Sequence, residues 1–122
     1  MDKNEINRMI AEKIMGWELR PFPGGSGRVA WCQYFADIDR WIWHCDENDL
    51  PDWATNIAQA FGVVEELKKE GLCLFLYQDE NDDWNASFSD DHSDRISPKW
   101  SVSYSPEMAI CLAALAAKEG EK

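Results

Sequence analysis

Basic residues are scarce in this chain of 122 residues, which has 12 lysines and arginines against 23 aspartates and glutamates. The formal net charge of −11 repels nucleic acid and anionic lipid at long range, so we expect no direct binding to DNA, RNA or a membrane surface. The same charge favours a basic protein partner, although in most soluble proteins it serves solubility alone.

A long hydrophobic run is also absent. The apolar stretch 108–117 has ten residues, half of the roughly 20 that a helix needs to span a bilayer. The amino terminus carries Asp2, Lys3 and Glu5 and lacks the apolar region of a secretory signal. We therefore expect a cytoplasmic protein.

The sequence has no C-x-x-C pair, and its four cysteines are widely spaced. We expect them to be reduced and to pack as small hydrophobic residues. The motifs G-x-S-x-G and H-E-x-x-H are missing too. The sequence thus predicts no catalytic residue, no metal site and no cofactor.

The clearest helix signal lies near the end of the chain. Ser105 is a typical N-cap residue, Pro106 suits the first helical position, and Gly120 follows the terminal Lys118 closely. The pattern predicts a helix over about 106–118. Because this stretch is apolar on every side, a sheet together with a neighbouring helix or a second subunit must cover it, which makes a homodimer plausible.

Two further helices are predicted, over about 4–15 and about 53–70. The first has apolar residues at three- and four-residue spacing and ends at Gly16. The second ends at Gly71 and is expected to turn one apolar stripe toward the core. That stripe consists of Ile57, Phe61, Val64 and Leu67.

Strands are predicted in both halves of the chain. Residues 29–35 and 40–45 are rich in aromatic and β-branched residues, whereas the prolines and glycines of 20–27 predict a loop. The six apolar residues 72–77 are typical of a strand buried on both faces, in the middle of a sheet. Residues 84–89 and 99–104 alternate between apolar and polar, which predicts a three-strand antiparallel meander together with 72–77.

With helices before and after the meander, the pattern predicts one domain over 1–122, a three-layer α/β/α sandwich of the α+β class with a mainly antiparallel sheet. Three segments carry a family resemblance as well. They are residues 11–17 (AEKIMGW), 55–61 with 63–67 (TNIAQAF and VVEEL) and 106–115 (PEMAICLAAL). Together they resemble the signature of the phage ABA sandwich domain family.

The resemblance implies the same α/β/α layering, a phage or prophage origin and hence a bacterial host cell; it implies no reaction. The chain departs from the family pattern at 53–56, where Tyr-Ser-Thr-Asp is usual and this chain has WATN, and at Leu112, where an arginine often stands.

The aromatic content points to a binding site. The chain has seven tryptophans, and the cluster of Arg40, Trp43, His44 and Trp53 combines a cation, an imidazole and indole rings, which suits a small anionic or aromatic ligand. A zinc or Cys-His site at His44 and Cys45 is disfavoured because neighbours on a strand point to opposite faces.

A calcium loop is the other metal alternative. Asp79, Asn81 and Asp83 match the opening of such a loop, but position six is Trp84 instead of glycine, and the flanks resemble strands. A plain hairpin turn is the favoured interpretation.

The leading functional hypothesis is a non-enzymatic phage accessory protein that binds a host or phage protein through its acidic surface. One alternative is a module that binds or sequesters a small, nucleotide-like ligand at the Arg40, Trp43, His44 and Trp53 cluster. The other is an uncharacterised hydrolase, which would need convergent titratable groups in one cleft.

Overall fold

The computed structural model describes residues 2–21, 27–90 and 100–119, which form helices and two three-stranded antiparallel sheets. The helices are α1 (Lys3–Met9), which continues as a π-helical turn (Ile10–Ile14), α2 (Ile57–Lys68) and α3 (Pro106–Glu119). The strands are β1 (Glu18–Pro21), β2 (Val29–Phe35), β3 (Arg40–Asp46), β4 (Leu72–Gln78), β5 (Trp84–Asp90) and β6 (Ser101–Ser103).

The first helical segment begins at a cap and ends at a glycine. The Asp2 side chain accepts a hydrogen bond from the Glu5 backbone N–H at 2.9 Å. The segment ends at Gly16, whose φ of +73° is the left-handed conformation that glycine adopts without strain. The backbone N–H of Trp17 then donates to the Ala11 carbonyl at 2.8 Å, which closes the last turn. The predicted helix 4–15 is confirmed.

The first sheet has the order β1-β2-β3. The hairpin of β2 and β3 confirms the predicted strands, but part of the predicted loop 20–27 is a strand, since Arg20 and Pro21 belong to β1. Proline is tolerated there because an edge strand does not need every backbone N–H for pairing. The rest of that loop, residues 22–26, lies outside the described residues.

The second sheet has the order β4-β5-β6, which confirms the predicted meander. Lys99, at the start of the predicted third strand, lies outside the described residues. The expected position of the apolar strand 72–77 is wrong, because β5 is the central strand and β4 lies at an edge of the sheet that the described residues form. Its alternate residues Phe75 and Tyr77 are about half exposed, so β4 is buried on one face only.

Helix α2 is shorter than predicted and is rotated relative to the predicted stripe. It begins after Asn56, whose side chain accepts from the Gln59 N–H at 3.1 Å, and residues 53–55 form a turn. Ala60, Val63 and Leu67 are buried, whereas Ile57 and Phe61 of the predicted stripe are exposed. The buried face belongs to the core, and α2 packs against α3.

Helix α3 confirms the prediction from its sequence. The Ser105 hydroxyl accepts from the Met108 N–H at 3.3 Å, as an N-cap does. Burial extends around the helix, because the buried residues are nearly consecutive and cannot share one face. They are Ala109, Ile110, Cys111, Ala113, Ala114 and Leu115.

All three helices lie on the same side of the second sheet. Helices α2 and α3 contact each other and the sheet, and the π-helical turn contacts both. We call this covered side, with Leu72, Leu74, Leu76, Ala86 and Phe88, the inner face. The described residues place no helix on the opposite side, so the predicted three-layer arrangement is not confirmed.

We call the opposite side of the second sheet the outer face. Phe75 and Tyr77 of β4 stand there beside Ser87 and Asn85 of β5, and Val102 of β6 lies beyond Asn85. The rings of Tyr77 and Trp100 meet edge to face, with centroids 5.3 Å apart. Ser87 and Asn85 on the same face are nevertheless 0% and 7% exposed. The polar centre of the face is therefore shielded from solvent, although the aromatic side chains around it are exposed.

Within the described residues, no helix is both long and apolar enough to cross a membrane.

Candidate functional site

The predicted ligand site lies on and beside β3, and the structure brings only part of it together. The rings of Trp17 and His44 are stacked, with centroids 4.2 Å apart and planes 15° apart. Trp17 also contacts Trp53, at 5.4 Å and 60°. Trp17, which was not among the predicted site residues, therefore joins His44 and Trp53.

Arg40 does not join this stack. It begins β3 opposite Phe35, four residues before His44, which is about 13 Å along a strand. The cation that does meet a tryptophan of β3 is Arg20, whose guanidinium carbon lies 4.3 Å from the ring centre of Trp41. Sequence reasoning missed this contact because Arg20 had been assigned to a loop.

An irregularity in the first sheet decides where His44 points. The pairing of β2 with β3 shifts between Trp31 and Cys32, so that β3 has one extra residue at His44. The imidazole reaches Gln33, with His44 Nε2 and Gln33 Oε1 3.2 Å apart. Because the amide oxygen can only accept, the imidazole donates through Nε2. Burial lowers the pKa of His44 below its ordinary value, which favours the neutral ring.

A shallow cleft of about 370 Å³ lies beside this stack. Trp43 and His44 of the predicted set line it, together with Cys45, Asp46 and Asp49. Burial, and then the charges of Asp49 and Asp46, raise the pKa of the Cys45 thiol and keep it protonated. The carboxylates make the cleft better suited to a cation than to an anion. Ligand binding by the Arg40, Trp43, His44 and Trp53 cluster stays a prediction.

The residues of the calcium-loop alternative form a hydrogen-bonded turn in the structure. Asp79 Oδ1 accepts from the backbone N–H groups of Asn81 and Asp83 at 2.9 and 3.1 Å, and Oδ2 accepts from the Asn85 amide at 3.0 Å. The hydrogen bond from Asn85 and the two backbone bonds lower the pKa of Asp79. These bonds make Asp79 the organiser of the β4–β5 hairpin turn. In the described ranges, no group of three or more side chains could hold a metal ion.

A second polar network supports the turn that carries Trp53. The Asn7 amide donates to Asp52 Oδ1 at 3.0 Å, and its carbonyl oxygen accepts from the Ala54 N–H at 2.9 Å. Thr55 donates its hydroxyl to the other oxygen of Asp52. Hydrogen bonds from Thr55 and then from Asn7 lower the pKa of Asp52. The network is buried at Asn7 and ties α1 to the start of α2.

A second cleft, of about 520 Å³, lies beside this network, between the start of α1 and the segment that follows β3. Asp2, Glu5 and Glu47 supply carboxylates to its walls, and Arg8 supplies a guanidinium. Arg8 lies 3.5 Å from the Glu47 carboxylate and 5.9 Å from the ring centre of Trp31. Asn4, Asn7, Asn48 and Leu50 complete the lining of this acidic cleft. No sequence motif marked it, because its walls come from two distant segments.

A family model described as the phage ABA sandwich domain matches residues 8–115, which is most of the chain. The chain belongs to this family. The resemblance inferred from the three sequence segments is thereby confirmed, and the chain is a phage-type sandwich-domain protein. The family description names no reaction and no ligand.

A solved structure agrees in fold. The chain is similar to a phage protein from Bacillus cereus ATCC 14579, known from a 2.0 Å crystal structure, with a TM-score of 0.62 and 22% identity. The similarity covers 96% of this chain and 92% of that one. At this identity the likeness shows the fold alone. No curated protein matches the chain.

Proposed function

We propose that this phage protein acts without catalysis, by binding a basic host or phage protein through the acidic cleft. The observation that carries the proposal is the concentration of carboxylates from Asp2, Glu5 and Glu47 around one concave site, in a chain of net charge −11. A charged surface of this kind attracts a partner of opposite sign and accelerates the encounter.

The lining of the cleft suits an arginine or lysine side chain. Carboxylates and asparagine carbonyl oxygens accept hydrogen bonds from such a cation, and Leu50 provides an apolar contact for its methylene stem. Arg8 already occupies one side and pairs with Glu47, which leaves Asp2 and Glu5 as the carboxylates nearest the open end of α1. A partner cation would therefore add to the existing pair instead of replacing it.

Affinity capture from a bacterial host lysate tests the proposal. The immobilised protein should retain a basic protein at low salt and release it at high salt, because ionic screening weakens exposed charge pairs. Failure to retain any basic protein at either salt concentration would contradict the proposal.

A matched pair of variants locates the binding surface. The double change Asp2→Asn with Glu5→Gln removes two charges from the cleft, and asparagine still caps α1. The control changes Glu12 and Glu65, which are exposed elsewhere, to glutamine and so has the same net charge. We expect the cleft variant to lose the captured protein and the control to keep it. Equal retention by both variants would remove the cleft from the proposal.

The second candidate function is small-molecule binding at the cleft beside His44, favoured by the presence of Trp43 and His44 in one concavity. Asp46 and Asp49 line the same cleft, so a planar cationic ligand fits its charge better than a nucleotide does. A thermal-shift screen with nucleotides and with aromatic amines compares the two classes. A bound ligand at 100-fold over its Kd adds about 2.7 kcal/mol of stability, and no shift with either class would contradict this candidate.

A further inference from the structure

The outer face of the second sheet is an exposed apolar surface in an otherwise acidic protein. Phe75, Tyr77 and Val102 are 51%, 50% and 52% exposed, and Trp100 is 42% exposed. Tyr104, which continues the alternation of Trp100 and Val102, is 84% exposed. The rows Phe75–Ser87 and Tyr77–Asn85–Val102 place Phe75, Tyr77 and Val102 on one face of the sheet, and the ring contact of Tyr77 with Trp100 joins the β4 side of that face to the β6 side.

The size of this surface fits half of a protein interface. A large side chain presents roughly 200 Å² when fully exposed, so the five side chains expose on the order of 500 Å² together. The largest apolar patch of an ordinary monomer covers about 300–600 Å² and is often functional. A standard interface buries about 800 Å² on each partner, a little over half of it apolar, so the surface is large enough for the apolar part of one.

The distribution of charge favours a second copy over a different occupant. Between the turns, the described side chains of this face are aromatic, aliphatic, serine, asparagine or cysteine. The carboxylate that borders the face is Asp79 in the β4–β5 turn, which accepts a hydrogen bond from Asn85. Two chains of net charge −11 repel each other wherever their acidic surfaces approach. Away from the turn that holds Asp79, the outer faces of two copies meet through uncharged side chains, whereas a basic partner is drawn to the acidic surfaces elsewhere on the molecule.

We propose that a second copy of this chain covers the outer face, so that two second sheets pack face to face across a two-fold axis. The same patch then lies on both sides of the interface, as in other isologous dimers. Packed sheets lie about 10 Å apart, which allows the aromatic side chains of the two copies to interdigitate. This self-association is independent of the partner binding proposed above, and either can fail without the other.

Light scattering and sedimentation over a concentration series test the dimer. We expect the mass to rise from that of one chain toward that of two, and we expect Phe75→Lys to weaken the dimer at least about tenfold, because each copy would bury an unpaired ammonium group. Phe61→Lys is the matched control, since Phe61 on α2 is 48% exposed and receives the same charge change away from the face. The control should dimerise like the unaltered protein.

A thiol-labelling experiment locates the interface without a destabilising charge. Val102→Cys lies on the outer face and Ile38→Cys lies in the β2–β3 turn, and the two native side chains are 52% and 55% exposed. At concentrations that favour the dimer, a maleimide should label the cysteine at 102 several-fold more slowly than in dilute solution. The cysteine at 38 should react at one rate throughout, after subtraction of the native cysteines.

Three results would overturn the proposal. The first is a strict monomer at millimolar concentration, which would leave the face to a different protein. The second is a dimer that Phe75→Lys and Phe61→Lys affect equally. The third is protection of the cysteine at 38 and not of the cysteine at 102, which would place the interface on the first sheet.

Discussion

The two sheets contact the helices in different ways. The second sheet presents a broad inner face, on which leucines of β4 and Ala86 and Phe88 of β5 pack against α2 and α3. The first sheet joins the same core through a few large side chains, chiefly the fully buried Trp31. The stack of Trp17, His44 and Trp53 adds a second, partly exposed connection.

This difference predicts how each sheet tolerates substitution. On a broad face the buried apolar area is divided among many side chains, so the loss of one side chain removes only a small part of it. A single large anchor concentrates the same burial in one residue, and its removal leaves a cavity that the surrounding structure fills poorly. The first sheet should therefore be the more sensitive of the two.

The largest expected effect follows removal of the anchor of the first sheet. Trp31→Ala should lower the free energy of unfolding by about 4 kcal/mol, because it opens a large cavity. It also removes the indole N–H that donates to the Glu47 carbonyl at 3.2 Å. Urea denaturation measures the change. Trp41→Ala, a partly exposed tryptophan on the next strand, is the control and should cost clearly less; equal losses would contradict the anchor role.

The next effect concerns the turn that supports Trp53. Asn7→Ala removes both hydrogen bonds of that side chain and leaves the buried Ala54 N–H without its partner. The expected loss is about 2 kcal/mol. Chemical denaturation gives the value, and Asn4→Ala on the exposed side of α1 is the control. A loss no greater than that of the control would show that the turn does not depend on the network.

A single leucine on the inner face of the second sheet should matter less. Leu74 is partly buried against the core, and Leu74→Ala should cost about 1.5 kcal/mol, since only part of its surface leaves water on folding. The comparison with Trp31→Ala under the same conditions is the informative one. If Leu74→Ala were the more damaging change, the second sheet would be the more sensitive of the two.

The smallest effect is a pH dependence of the first sheet. Burial holds the folded-state pKa of His44 below the unfolded value, so the unfolded chain binds more protons near the ordinary histidine pKa of about 6.5. The stabilisation that the folded protein gains from keeping His44 neutral is therefore present above that pH. It is lost as the pH falls toward the folded-state pKa. The melting temperature should therefore fall slightly more on mild acidification in the unaltered protein than in His44→Gln. Parallel curves for the two proteins would contradict this role.

Local signals predicted much of the secondary structure. Ser105 caps α3 as expected, and the polar turn at Asp79 joins β4 to β5 in a hairpin. The start of α2 was predicted too early because Trp53, with its apolar neighbours, extended the helical pattern, whereas Asn56 makes the cap. Strand β1 was missed because Pro21 argues against a strand unless the strand is known to lie at an edge.

The candidate site was only partly predictable. His44 and Trp53 do come close together, but they meet through Trp17, which lies 27 residues before His44 in the chain. Arg40 belongs to the same strand as His44 and is nevertheless remote from the stack. Proximity in sequence was therefore a poor guide to proximity in space. The acidic cleft had no sequence signal, because its two walls are brought together only by folding.

The sequence by itself determined the charge, the caps, the turns and the type of most elements, because these depend on contacts between residues within a few positions of one another. The tertiary structure decided which apolar residues are buried. Phe75 in the apolar run of β4 is half exposed, and Phe61 in the expected stripe of α2 faces outward, while Ala60 lies fully buried. Burial depends on neighbours that are distant in the chain, and a periodic pattern does not state which side those neighbours cover.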